Sequence, residues 1–285
     1  MIAASSLRGC RLLFASALLA AVPAFAAPAT VAPAKIQVSP AIDAAVKAST
    51  RDANNVKRDG YRHPAQTLSF FKVAPEKTVI EITPGNGWYS EILAPLLHDK
   101  GHYVAAVVDP MAVAEGRGRD YQQRSRDSLE KKYAAAPAQF GKTAVVAYDP
   151  AKPVFGPASS ADVVLTFRNV HNWRKAGQAQ GMFQGFFNVL KPGGVLGVVE
   201  HRARADVAAD DDTGYVGQQQ VIAMAEAAGF KLDARSEVNA NPRDTKDHPN
   251  GVWTLPPTNQ HDKADDAKYQ AIGESDRMTL RFIKP

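Results

Sequence analysis

Apolar residues in this chain fall into short continuous runs separated by amphipathic stretches, the pattern of parallel strands buried on both faces and joined by helices. Five runs predict buried strands: V-I-E-I from Val79, Y-V-A-A-V-V from Tyr103, A-V-V-A-Y from Ala144, D-V-V-L-T-F from Asp162 and V-L-G-V-V-E from Val195. After the first of them, Ile92, Leu93, Leu96 and Leu97 make an apolar stripe at helical spacing, in a segment that Pro95 should shorten or kink. Met182, Phe183, Phe186, Phe187 and Leu190 repeat that spacing before the fifth strand, with L-K-P-G-G as a stop, and V-I-A-M-A-E-A-A from Val221 predicts a helix that ends at Gly229. Gly177, Gly181 and Gly185 recur every four residues, which reads as one helix face in close backbone contact. Polar neighbours argue against a membrane dimer motif there.

Beyond Gly229 the period changes to two. F-K-L-D-A-R-S-E-V and R-M-T-L-R-F-I read as alternating strands. The segment between them, residues 239–276, is too long for a hairpin, and with Trp253, Pro256, Pro257 and Tyr269 it reads as a partly ordered lid. Together these elements predict one doubly wound α/β domain.

The amino terminus is patterned differently. Arg8 and Arg11 flank a basic start, an apolar run extends from Leu12 to Phe25, and Ala24-Phe25-Ala26 puts small residues at cleavage positions, so residues 1–26 read as a secretory signal peptide. Pro23 interrupts the run, which falls short of the roughly 20 residues of a bilayer span, so no stable membrane anchor is expected. Residues 27–41, with Pro28, Pro33 and Pro40, read as a tether, and residues 42–285 as the domain. The one cysteine, Cys10, leaves with the signal. Disulfides, thiolate zinc sites and cysteine nucleophiles are thereby excluded, which suits a periplasmic or secreted protein. Without Arg8 and Arg11 the formal net charge falls from +5 to +3, with bases and acids interspersed, and no nucleic-acid partner is implied.

The strongest local signal is V-I-E-I-T-P-G-N-G-W-Y-S, a strand that runs into a glycine turn and then a helix. Gly85 and Gly87 allow a tight turn and the close approach of a ligand to bare backbone. Asp109, in V-V-D-P at the end of the next strand, supplies a carboxylate able to accept the hydroxyl hydrogens of a ribose. Loop and carboxylate together point to an adenosine-type ligand; the alternative is a plain turn followed by a helix-capping aspartate. A dinucleotide fingerprint would require a third glycine where Ser90 stands.

Read from Glu81, the same segment is E-x-T-x-G-x-G, which resembles the first motif of class I S-adenosylmethionine-dependent methyltransferases, with Thr83 in place of the first glycine. The resemblance extends over roughly residues 60–285 and implies S-adenosylmethionine as cofactor. It implies roles for Glu81, Gly85 and Gly87 in the first motif, for Asp109 on the ribose, for Asp149 of V-V-A-Y-D-P on the adenine amine, and for Asn169 near the methionine moiety. R-M-T-L-R-F-I-K-P is similar to the reversed last strand of that family, so the resemblance implies a seven-stranded, mostly parallel sheet with the last strand antiparallel. More narrowly, V-I-E-I-T-P-G-N-G-W-Y-S-E-I-L-A-P-L-L resembles a bacterial group called predicted methyltransferases.

Methyl transfer is an in-line displacement that requires alignment, a route for a proton and exclusion of water, and it requires no metal. His171, which follows the fourth strand, is the candidate base, with His201, just after the fifth, as the second; a histidine that only fixes its loop is the alternative for each. Trp88, Tyr89 and Trp173 are candidate walls, where an aromatic face would favour a sulfonium. The expected activity is methyl transfer to a small or medium acceptor. Its rival is a non-enzymatic periplasmic binding protein that uses the same pocket, because the cofactor is made in the cytoplasm.

Overall fold

Side chains along a strand alternate between its two faces, and an unbroken apolar run therefore needs a cover on both. The computed structural model describes residues 1–2 and 36–285. Four short helices, α1 (Pro40–Val46), α2 (Ala53–Val56), α3 (Asp59–Arg62) and α4 (Pro64–Phe70), precede β1 (Thr78–Ile82) and α5 (Ser90–Leu97). β2 (His102–Val108), α6 (Arg117–Ala135), α7 (Pro137–Phe140) and β3 (Ala144–Tyr148) follow. The second half is β4 (Ala161–Phe167), α8 (Val170–Lys175), α9 (Ala179–Val189), β5 (Leu190–His201), α10 (Gln218–Ala227), β6 (Lys231–Ser236), α11 (Asp266–Ile272) and β7 (Arg277–Ile283). Among the described residues no helix is long and apolar enough to cross a membrane.

The seven strands form one sheet in the order β3-β2-β1-β4-β5-β7-β6. Val79 of β1 lies opposite Tyr103 on one side and Val163 on the other, both pairings parallel. β7 runs antiparallel to β5 and to β6. This is the expected doubly wound sheet with its last strand reversed. The chain winds outward from β1 through β2 and β3, then returns to the middle for β4, so the carboxyl ends of β1 and β4 flank the switch point where ligands of such sheets bind.

Ile80, Ile82, Ala106, Val164 and Val198 face one way, onto Trp173, Met182, Phe183 and Phe186. Val79, Ala105, Leu165 and Val195 face the other way, onto Ile42, Leu68, Phe71, Ile92 and Leu93. Pro95 sits inside α5 without ending it. The carbonyl of Glu91, which a proline nitrogen cannot serve, instead accepts from Gln139 Nε2 at 3.2 Å.

Several expectations change in detail. Pro40 begins α1 at a position where its missing N–H costs nothing, and Ser39 Oγ accepts from the Ile42 N–H at 3.3 Å. The end of the expected tether therefore belongs to the domain; the signal-peptide reading and the rest of the tether lie outside the described residues. Leu190 leaves the helical stripe to open β5, opposite Ala161. Of the three spaced glycines, Gly177 precedes α9 with φ +68°, and Gly185 makes the close contact, since a Cβ there would stand 2.8 Å from the Pro153 carbonyl oxygen. Residues 239–276 carry the short helix α11 and are tied to the rest of the domain as well as to themselves. Asn239 Nδ2 reaches Thr67 Oγ1 at 3.0 Å, and Asp244 accepts from Tyr215 at 2.9 Å and from the Asp276 N–H at 2.7 Å.

Gly197 in the middle of β5 lets Phe71 lie against the sheet, because a Cβ there would meet Phe71 Cγ at 2.6 Å and Leu165 Cδ2 at 2.8 Å. Gly197→Ala should lower the unfolding free energy by about 1–3 kcal/mol through overpacking. Gly60→Ala, in α3 with nothing within 4 Å of the new methyl, should be neutral or stabilising. Chemical denaturation of the two variants checks the contrast, and equal losses would contradict the packing argument.

Candidate active site

The β1 turn keeps a glycine-like backbone where the motif departs from glycine. Thr83 has φ +51°, and its Oγ1 lies 2.8 Å from the Tyr148 hydroxyl at the end of β3. A threonine in this left-handed region costs on the order of 1–3 kcal/mol, and the hydrogen bond to Tyr148 is its anchor. Gly85 and Gly87 also have positive φ, at +58° and +71°. Open space surrounds the Cβ position of Gly85, whereas at Gly87 Leu129 Cδ1 stands only 3.0 Å away. Lys132 Nζ of α6 donates to the Asn86 carbonyl at 3.1 Å and to Glu91 Oε1 at 2.5 Å, and so holds the turn from outside.

Ser90, where a dinucleotide fingerprint would have glycine, is the middle of a buried hydroxyl chain. Tyr133 donates to Ser90 Oγ at 2.8 Å, Ser90 lies 2.7 Å from the Tyr103 hydroxyl, and Tyr103 donates to Glu81 Oε2 at 2.6 Å. Glu81 is 3% exposed. Burial raises its carboxyl to about 7, against the opposing hydrogen bond from Tyr103.

Asp109 and Asp149 stand at the carboxyl ends of β2 and β3, on the same sheet edge as the turn. One oxygen of each caps its own loop: Asp109 Oδ1 accepts from the Met111 N–H at 2.9 Å and Asp149 Oδ1 from the Ala151 N–H at 2.8 Å. The second oxygen of each has no hydrogen-bond donor among the described residues. Neither residue lines the cavity that Gly85 shares with His171 and His201, and the space between Gly85 and Val108 amounts to only about 10 Å³.

Across the switch point, β4 and β5 bring the other candidates together. Asn169 Nδ2 donates to the Ile82 carbonyl at 3.1 Å, which fixes the amide orientation and leaves Oδ1 as an acceptor. Glu200, fully buried at the end of β5, is not among the sequence-based candidates. Its Oε2 accepts from the Val170 N–H at 2.6 Å and the His171 N–H at 3.3 Å, and its Oε1 accepts from the His201 N–H at 2.8 Å. Oε1 also lies 3.1 Å from His171 Nδ1. An acceptor-only carboxylate there selects the Nδ1–H tautomer of the neutral ring and leaves the Nε2 lone pair free. His201 lies beside His171, ring centroids 5.5 Å apart, with its Nδ1 2.5 Å from Ser275 Oγ. Burial, followed by the proximity of His171 and Arg168, holds the His201 imidazole well below its ordinary value. His171, Glu200 and His201 offer donor atoms within 4.8 Å of one another, as a metal site would. The hydrogen bonds already made by Glu200 favour an orienting role.

These side chains border one cavity of about 540 Å³, which Glu81, Thr83, Gly85, Asn169, His171 and His201 all line. Its far wall comes from the expected lid segment through Val252, Trp253, Pro256, Pro257 and Thr258. Trp253 stands edge-on to His171 at 6.0 Å. Trp88 and Tyr89 also line the cavity, but their faces are engaged: the guanidiniums of Arg51 and Arg62 lie 5.2 and 4.7 Å from the Trp88 ring, and Tyr89 stacks on Phe167 at 3.8 Å. Trp173 is elsewhere, packed in the core on Phe186 at 5.6 Å. Arg58, Arg62 and Arg168, absent from the sequence-based candidates, complete the lining with Glu274. Isolated arginines in polar sequence give no signal of convergence.

No family model matches the chain, and no curated protein matches it in sequence. Solved structures do match its fold. A SAM-dependent methyltransferase from Aquifex aeolicus superposes with a TM-score of 0.53 at 15% identity, over 80% of this chain and 93% of the other. The [4+2]-cyclase SpnF gives a TM-score of 0.55 at 16% identity, over 84% and 85%. An arsenic(III) S-adenosylmethionine methyltransferase from Chlamydomonas reinhardtii gives 0.50 at 13%, over 86% and 73%. The chain thus has the Rossmann-like fold of the S-adenosylmethionine-dependent methyltransferases. That fold serves a cyclase as well, so chemistry must be argued from the site.

Glu81 makes stability depend on pH. With the folded carboxyl at about 7 and the unfolded one near 4.5, the neutral form favours the folded state. This contribution is complete below pH 4.5 and is lost as pH rises through 7, a difference of roughly 3 kcal/mol. Glu81→Gln should remove that slope, so denaturation of variant and parent should diverge between pH 5 and 7.5. Parallel curves would contradict the burial argument.

Proposed function

We propose that the protein transfers a methyl group from S-adenosylmethionine to a small acceptor held in the 540 Å³ cavity, with His171 as general base. One observation carries this reading: at the switch point of a methyltransferase-type sheet, the glycine turn of β1 and a histidine with a free Nε2 share one cavity. The methyl-transfer fold of the solved structures supports it, as does the motif order. The basic, apolar and A-F-A segments of the amino terminus support export, and the β1 motif supports kinship with the predicted methyltransferases of bacteria.

The residues fit the cofactor at three points. Gly85 leaves bare backbone facing open space, Asp109 Oδ2 can accept from a ribose hydroxyl, and Asn169 Oδ1 can accept from an ammonium group. S-adenosylmethionine, when bound, supplies an electrophilic methyl carbon on a sulfonium. His171 Nε2 takes the proton of the acceptor hydroxyl as its oxygen attacks, and Glu200 stabilises the resulting imidazolium through Nδ1–H. Trp253 and the two prolines beyond it exclude water from that side. α6 supplies Gln122, Ser125 and Arg126 to the narrow gap between Gly85 and Val108.

Calorimetric titration should show S-adenosylhomocysteine binding to the parent, and Asp109→Ala should weaken it about tenfold or more. His171→Gln should bind within a few fold of the parent while losing roughly 10² to 10⁴ in rate with an alcohol acceptor. A parent that binds neither S-adenosylmethionine nor S-adenosylhomocysteine would overturn the reading.

A further inference from the structure

The cavity holds more positive charge than its own side chains neutralise. Four guanidiniums, those of Arg58, Arg62, Arg168 and Arg277, converge near a single carboxylate, Glu274. Arg277 reaches Glu274 Oε2 at 2.7 Å, Arg58 reaches Oε1 at 2.7 Å, and Arg62 lies 3.2 Å from Oε2. Burial alone would raise the Glu274 carboxyl, but Arg277, Arg62 and Arg58 outweigh it and hold it down at about 2. Its acceptor capacity is used by those three.

Arg168 is the fourth. It follows β4 directly, its N–H donates to the Val199 carbonyl at 2.7 Å, and its backbone has φ +62°. Such an outlier persists only where the surroundings enforce it, and outliers of this kind cluster at functional sites. Among the described residues its guanidinium has neither an ion-pair partner nor a hydrogen-bond acceptor, although it lines the cavity beside Asn169 and His171. Burial, then the charge of Arg277, holds its pKa below the ordinary value. Other nearby acids are occupied: Asp276 by Arg202 and Lys246, Asp59 by Arg51. Glu81, with a carboxyl raised to about 7, is at best a partial counter-charge. A half-buried guanidinium with no acceptor of its own gains when an anion enters the cavity, and its fork suits a planar or tetrahedral oxyanion.

We infer that Arg168, backed by Arg58 and Arg62, forms an oxyanion-binding site in the cavity, made for a carboxylate or phosphate carried by a bound substrate. This deepens the methyl-transfer reading and rests on it for the word substrate, since it places an anionic group a few residues along the chain from the proton-accepting His171. Such a group could belong to the acceptor, or be the carboxylate of the cofactor's amino-acid end.

The test is carried out on the full chain without cofactor, so that it does not depend on methyl transfer. Trp88 and Trp253 line the cavity, and their fluorescence reports titration with inorganic phosphate and with acetate against sodium chloride at matched ionic strength. The expected result is saturable binding of phosphate or acetate beyond chloride, weakened about tenfold or more in Arg168→Gln and partly kept in Arg168→Lys. Because Arg168→Gln could disturb the turn, Arg58→Gln serves as a second variant from a separate element and should weaken binding several fold. No saturation in the parent, or equal affinities in parent and both glutamine variants, would overturn the inference. Two further titrations identify the source. If S-adenosylhomocysteine loses affinity in Arg168→Gln while 5′-methylthioadenosine, which lacks the carboxylate, does not, the anion is the cofactor's; if phosphate still binds the S-adenosylhomocysteine complex, it is the acceptor's. Phosphate binding without S-adenosylhomocysteine binding would leave the anion site standing and overturn the cofactor reading alone.

Discussion

The buried carboxylate of Glu200 holds the working edge of the sheet in place. It is the only acid of β5, it closes the apolar run from Val195 to Val199, and it is fully buried, where water offers it nothing. Three backbone N–H groups and one imidazole satisfy it instead, and they come from two different connections, the turn after β4 and the exit from β5. A buried charge left without such donors is strongly unfavourable, so the two loops cannot separate without stranding it. The same requirement fixes the ring of His171 and directs its Nε2 to the cavity. The hydrogen bond that joins His171 to Glu200 is thus part of what holds the two loops together.

The β1 turn shows how a motif can change residues and keep its physics. Thr83 adopts the left-handed backbone that glycine would take freely, and the cost is offset by its link to Tyr148, which ties the ends of β1 and β3 together over β2. Ser90 turns a position where a dinucleotide fold needs bare backbone into a hydroxyl relay that ends on Glu81. Both departures strengthen the packed floor beneath the turn and leave Gly85, the position with open space, unaltered.

What the sequence revealed follows from where local pattern and burial coincide. Four of the five apolar runs became strands covered on both faces, whereas the fifth, β3, is an edge strand in which only Tyr148 is buried; beyond Gly229 the alternating runs became β6, at the other edge, and β7, antiparallel to it. α6 was not announced, since its buried residues are only Leu129 and Tyr133 and its surface is otherwise polar. The glycine turn was singled out by its pattern, His171 and His201 by their places after strands and Asn169 by the motif resemblance, and all of them line one cavity. Glu200 was hidden by its own strand, although a lone acid closing an apolar run was the available signal. The arginines were illegible for another reason: Arg58 comes from the turn between α2 and α3, Arg62 from α3, Arg168 from the residue after β4 and Arg277 from β7, and only the fold brings them together. Trp88 and Tyr89 were placed correctly at the cavity but not with free faces, because guanidiniums and Phe167 reach them first.

Glu200 holds His171 through Nδ1, and the ring nitrogens of His171 report on this directly. In a long-range ¹⁵N–¹H correlation spectrum of the uniformly labelled protein, near pH 8, His171 should appear as the Nδ1–H tautomer with an unprotonated Nε2. Addition of S-adenosylhomocysteine should shift that resonance, while His248, buried against Asp244 at 2.9 Å, stays in place. An Nε2–H tautomer at His171, or a His171 resonance indifferent to saturating S-adenosylhomocysteine, would contradict the account.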